Sequence, residues 1–106
     1  MNWGMLVSMI ASIALSLDPA TAPFAPYIGQ AINSVEAEFT KDPTLTPAQN
    51  SAAKLANGVS IVNDLVEAAN VAKPGLVNVP VANDLVAKSI SAVVDAANLF
   101  SKTATA

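Results

Sequence analysis

Eight side-chain carboxylates are the groups in this chain best able to do acid–base chemistry, because it contains no histidine and no cysteine. A general acid and a general base must converge on one substrate, so two carboxylates have to share a face of their element. Glu36 and Glu38 stand two residues apart and on a helix point to different sides. Asp64 and Glu67 stand three apart and do share a helical face, but one that also carries asparagine and reads as the solvated side of an amphipathic helix. Without cysteine or histidine, the usual ligands of zinc, haem and iron–sulfur centres are missing, and so is a nucleophile–histidine pair. No glycine-rich phosphate loop, metal-ligand spacing or nucleophile elbow occurs. The expectation is a protein that is not an enzyme, with no catalytic residue, no cofactor and no metal.

Composition excludes further classes. The five basic residues, Lys41, Lys54, Lys73, Lys88 and Lys102, are scattered singly in a chain of net charge −3, and there is no arginine fork for phosphate or guanine. Nucleic acid is therefore not an expected partner. Hydrophobic residues make up 53% and charged residues 12% of the 106 positions, about half the usual charged share of roughly 25%. So little polar material cannot coat a small monomer, and part of the apolar surface must be covered by another subunit, another protein or lipid. Alanine, which tolerates exposure, accounts for some of the excess. The length supports one domain, 1–106, and the missing cysteines leave the redox compartment open.

The elements that must position these residues are helices. The clearest is 47–72, which the sequence marks as the organising element. Thr46, Pro47 and Gln49 supply a hydroxyl cap, a proline in the first turn and an amide at the third position. Ala48, Ala52, Leu55, Val59, Val62, Val66 and Ala69 then recur at steps of four and three, a seam along one helix face. The opposite face holds Asn50, Lys54, Asn57, Asp64 and, as an exception, Ile61. A last helix over 81–102 has the seam Val86, Ile90, Val93, Ala97 and Phe100 against a polar face of Asp84, Lys88, Ser91, Asp95, Asn98 and Lys102. Between them Lys73-Pro74-Gly75 is a turn and Leu76 to Val79 a short extended strap. The connection is short enough to return the chain on itself, so 46–102 is expected to form an antiparallel hairpin in which Leu55, Val59, Val62 and Val66 face Val86, Ile90, Val93 and Phe100. Residues 103–106 are expected to fray.

A shorter helix over 27–40 carries Ile28, Ile32, Val35 and Phe39. Its Gly29 either allows close helix approach or is a weak spot in the first turn. Gly58, in the middle of the long helix, costs about 1 kcal/mol relative to alanine and calls for a close crossing. The asparagines Asn57, Asn63, Asn70, Asn83 and Asn98 either stitch helices together or stand in for missing surface charge. The segment 18–26, with three prolines in nine residues, is expected to be a stiff, partly extended elbow.

Residues 1–17 carry no charged side chain. A helix over 2–17 is expected, with an apolar row of Leu6, Ile10, Ile13 and Leu17, and with Trp3 suited either to a packed contact or to a membrane interface. A span asks for about 20 apolar residues, and this run stops at Asp18 and Pro19. Three readings stay open: a buried or assembly-forming helix, an interfacial anchor, and a tight span.

An uncharged N-terminal helix (Met5 to Leu17), a proline elbow (Pro23 to Gly29) and an alanine-rich helix opened by T-P-A-Q (Thr46 to Asn70) together resemble small alanine-rich helical proteins of tailed bacteriophages. That resemblance implies a virion component or a holin-like membrane protein, although the ending SKTATA lacks a holin's basic tail. The expected fold is all-α: three to four helices, with a C-terminal antiparallel helical hairpin and a proline-rich elbow after an apolar N-terminal helix. The expected function is a non-enzymatic structural subunit, a homo-oligomer or one of several subunits of a larger assembly. Its interface would be built from Trp3, Leu6, Ile10, Ile13, Leu17, Leu55, Val59, Val62, Val66, Val86, Ile90, Val93 and Phe100. The alternative is a membrane-active oligomer held through residues 1–17. The expected location is a virion or a membrane-associated assembly.

Overall fold

The computed structural model describes residues 2–105, with side chains through 102. The protein is all-α, with four helices: α1 (Trp3–Ser16), α2 (Ala25–Glu38), α3 (Pro47–Ala72) and α4 (Asn83–Thr105). The starts of α1 and α3 follow residues whose side chains satisfy free backbone N–H groups. The Asn2 side chain accepts from the Met5 N–H at 2.8 Å and caps α1. Thr46 and Gln49 form a reciprocal capping box on α3, at 3.1 and 2.9 Å. α4 continues to Thr105, three residues beyond Lys102, through much of the expected frayed tail Thr103 to Ala106; residue 106 lies outside the described residues.

The helix at the centre is α2, not α3. Of its 14 residues, Ala25, Ile28, Gly29, Ala31, Ile32 and Val35 are buried, whereas the 26-residue α3 buries Asn50, Gly58, Val62 and Val66. α2 packs on α1, α3 and α4; α1 and α3 each lie against α2 and α4 and have almost no contact with each other. The α1–α2 pair is antiparallel, as its register shows. The Asn33 amide donates to the Gly4 carbonyl at 3.3 Å and to the Ser8 hydroxyl at 3.4 Å, and Gly29 sits over Ser8 and Ala11. A Cβ at Gly29 would come within 3.3 Å of the Ser8 Cα, so here the glycine is what lets two backbones approach.

The segment 18–26 is wound rather than extended. Asp18 starts a turn whose side chain accepts from the Ala20 N–H at 2.9 Å. A 3-10 turn, Ala22–Phe24, leads into α2. Pro23 and Pro26 each occupy the first turn of a helical element, where a missing N–H costs nothing. The buried Thr21 hydroxyl donates to the Leu15 carbonyl at 2.5 Å, satisfying the end of α1, and Phe24 drops into the core with no exposed surface. Its burial fixes the elbow.

Asn50, expected on the solvent face, is buried and anchors the α2–α3 loop. Its amide carbonyl accepts from the Asp42 N–H at 2.9 Å, and its NH₂ donates to the Asp42 and Thr46 carbonyls at 3.1 and 3.3 Å. Asn70 does the same for the strap, accepting from the Val77 N–H at 2.9 Å while Val77 itself is buried. Ile61, the exception on the polar face, packs against the core, so the inward face of α3 is broader than a seam. On α4, Val86, Ile90, Val93 and Ala97 are buried. Phe100, expected to face α3, is 58% exposed: the register that sets Gly58 against Ile90 puts it level with the first turn of α3, at the end of the contact. Its six expected polar-face residues are all exposed.

Candidate interaction faces

The carboxylates do not converge. Glu36 forms an ion pair with Lys54 that ties α2 to α3 at the surface, while Glu38, Asp64 and Glu67 stand exposed in solvent. Asp42 folds back on its own loop. Its Oδ1 accepts from the Thr44 hydroxyl at 2.6 Å and the Thr44 N–H at 2.8 Å. The hydroxyl first, and the N–H second, hold this carboxyl below the ordinary carboxylate range. Among the described residues no group of three or more acidic side chains is placed to hold a metal ion.

The thirteen residues expected at interfaces divide three ways. Val62, Val66, Val86, Ile90 and Val93 are in the chain's own core. Trp3, Leu6, Ile10, Leu55 and Val59 are half-buried against it. Ile13, Leu17 and Phe100 are exposed. The expected row Leu6, Ile10, Ile13 and Leu17 is thus split, and α1 turns out to carry two apolar rows. Val7, Ala11 and Leu15 form the buried row. Met5, Met9, Ile13 and Leu17 form the outer one, 60%, 44%, 62% and 82% exposed. Residues two apart, such as Val7 and Met9, differ by about 200° on a helix, so the rows lie on opposite sides. Met5 and Met9 are the members that sequence reasoning missed. A strict four-residue step through Ile13 and Leu17 finds them, but with no charge in the helix nothing marks which side faces out.

A second feature lies between α2, α3 and α4. It is a half-open cleft of about 460 Å³, mostly apolar, floored by Ile32 and Val35, by Leu55 and Gly58, and by Ile90 and Val94. Glu36, Lys54, Ser51, Ser91 and Asp95 line its mouth.

No family model, curated protein or solved structure matches the chain.

What can be said of residues 1–17 comes from α1 itself, and it corrects two expectations. A membrane partner held through this segment is ruled out as a span: among the described residues no helix is long and apolar enough to cross a membrane. At 1.5 Å per residue the 14 residues of α1 reach about 21 Å, against a hydrocarbon core of about 30 Å. One side of α1 is also committed to the core of its own chain. The expected location, a virion or a membrane-associated assembly, is withdrawn too: no helix among the described residues crosses a membrane, and no match to a known protein points to a virion. What stands is a small all-helical protein with exposed hydrophobic helix faces.

Proposed function

We propose that this chain is a non-enzymatic structural subunit that joins further copies of itself through the outer row of α1. The observation that carries this reading is the second apolar row. A helix that is apolar on both sides is ordinarily buried on both, and covering a large aliphatic side chain is worth about 1.5–3 kcal/mol. Four such side chains in one line form a patch rather than scattered exposure. The low share of charged residues agrees with a surface that is partly covered in use. The rest of the molecule serves as a scaffold holding α1 in place. An antiparallel α3–α4 hairpin within it is supported by two contacts of opposite progression, Gly58 against Ile90 and the Asn63 amide donating to Asn83 at 2.9 Å.

Sedimentation velocity over a range of concentrations tests the reading. The native chain should associate, and Met9→Lys or Ile13→Lys should leave it monomeric with an unchanged circular dichroism spectrum. Asn98→Lys, on the polar side of α4, should have no effect. A native chain that stays monomeric at every concentration would reject the proposal.

A further inference from the structure

The outer row of α1 holds two thioethers. Met5 and Met9 are 60% and 44% exposed, and at a step of four they stand one turn apart on the same side of the helix. We propose that this pair is a site of reversible oxidation, where a peroxide converts both side chains to methionine sulfoxide and so releases one copy of the chain from another. The proposal rests on the reading above, that the row joins copies, and adds to it a chemical control.

The first support is where the sulfur lies. The chain has no cysteine, so no thiol competes for the oxidant, and its three methionines are Met1, Met5 and Met9. Met5 and Met9 belong to the side of α1 turned away from Val7, Ala11 and Leu15. Neither packs in the core, so oxidant reaches both without any opening of the fold. Trp3 and Tyr27, the other readily oxidised side chains, are half-buried against the core.

The second support is what oxidation does to the row. A lone pair on sulfur attacks one oxygen of hydrogen peroxide; the S–O bond forms as the O–O bond breaks. The displaced hydroxide takes the proton of the transferred oxygen and leaves as water. Sulfur has then lost the two electrons that reduced the peroxide. The product is a polar side chain carrying a strong acceptor where an apolar one stood. Met5, Met9, Ile13 and Leu17 offer no donor side chain to one another, and residues 2–17 carry no charge. A contact closing over the row would bury both new oxygens short of partners, which is unfavourable. Half of the row changes character while the chain's own core is untouched. Sulfoxide reductases, one for each epimer, restore the thioether.

Association and oxidation oppose each other. The oxidant attacks the free chain, and a second copy covers the row, so oxidation at Met5 and Met9 should slow as protein concentration rises.

The test combines peptide mass spectrometry with sedimentation velocity, before and after treatment with hydrogen peroxide. The native chain should gain one oxygen at each of Met5 and Met9 and keep its circular dichroism spectrum. It should then associate about tenfold or more weakly, and treatment with both sulfoxide reductases should restore the association. The double variant Met5→Leu with Met9→Leu keeps an apolar row and retains Met1, so it should associate as the native chain does and ignore peroxide. Three results would overturn the proposal: Met5 and Met9 resist peroxide, the doubly oxidised chain associates like the native one, or the double variant loses its association to peroxide as the native chain does. Each of these leaves self-association through α1 standing. A native chain that is monomeric before any treatment removes both.

Discussion

The α1–α2 pair and the α3–α4 pair are built on different economies of side chains. In the first, the contact is made of small residues. Gly4, Ser8, Ala11 and Gly29 bring two backbones together, and one amide, that of Asn33, reaches across. In the second, branched side chains fill the space, with Val62, Val66, Val86, Ile90 and Val93 buried and an Asn63–Asn83 bond at the edge. The close pair leaves large apolar residues over, on the outside of α1; the second turns most of its large seam residues inward. The lesson is that a long, clean amphipathic pattern shows where a helix will pack, and not how central it is. The short α2 is marked in the sequence by a seam of only four residues, Ile28, Ile32, Val35 and Phe39, yet it is the helix that the other three enclose.

The largest test of that contrast is at the elbow. Phe24 is fully buried in the turn that packs on α1 and α2, and Phe24→Ala should lower stability by about 3–5 kcal/mol in urea titrations. Val62→Ala, in the helix that the sequence makes look dominant, removes two methyl groups and should cost clearly less. Equal losses at the two sites would break the assignment of the centre to the elbow and α2.

Loop anchoring comes next in size. Asn50→Ala leaves the Asp42 N–H without its partner and takes a donor from the Asp42 carbonyl, while the Thr46 carbonyl keeps the backbone N–H of residue 50, and should cost about 1–3 kcal/mol. Asn63→Ala, whose bond to Asn83 lies at the surface, should cost about 0.5–1 kcal/mol by the same measurement. If Asn63 proved the more costly, the joint between α3 and α4 would depend on its amides more than on its branched side chains.

Much of this was legible in the sequence where a local rule acts alone. The start of α3 is set by Thr46, Pro47 and Gln49, whose capping depends on neighbours three residues away, and the polar face of α4 follows from charge at helical spacing. What was not legible depends on partners far along the chain. Asn50 looks like a surface residue until the Asp42 backbone is brought beside it. The rotation of α1 cannot be read from a helix in which every side is apolar or small. Prolines at 23 and 26 break a continuous helix but are at home in the first turns of two separate elements, so counting them predicted extension where the chain winds. The candidate site suffered most, since Met5 and Met9 are conspicuous only once Val7, Ala11 and Leu15 are known to face inward.

Glycine gives a matched pair of substitutions, one in each half. At Gly29 an added methyl meets the Ser8 Cα at 3.3 Å, and a helix backbone cannot turn aside. At Gly58 it meets the Ile90 Cδ1 at 3.1 Å, the free end of a side chain that can rotate at modest cost. Both changes gain about 1 kcal/mol of helix propensity. Overpacking of about 1–3 kcal/mol should outweigh that gain at Gly29, making Gly29→Ala a net loss. Gly58→Ala should come out within about 0.5 kcal/mol of the native chain, since the propensity gain offsets the displaced methyl. Thermal and urea unfolding of the two variants side by side would show it. The reverse order would mean that the second pair, not the first, is the one held at backbone distance.

The smallest expected effect lies in the loop that joins the two pairs. Asp42 accepts two hydrogen bonds from Thr44, which favour the charged carboxylate and depress its pKa below the ordinary value of 3.8 in the folded protein. A group depressed on folding contributes stability that is fully present above its unfolded pKa and is lost as pH falls through the folded one. The contribution should therefore be constant from neutral pH down to about pH 5 and fade below the ordinary carboxylate value. Because Asp42 is exposed, the fading is slight and is better followed at the residue than in global unfolding. In a carboxyl-carbon NMR titration, Asp42 should titrate below 3.8 in the native chain. Thr44→Val removes the hydroxyl, the larger of the two causes, and keeps the backbone N–H, so the midpoint should move most of the way back without reaching the ordinary value. A native midpoint at or above 3.8 would show that the turn opens in solution. The polar ties beside that loop would then be Asn50 and the Glu36–Lys54 ion pair, with the packing of α2 on α3 unchanged.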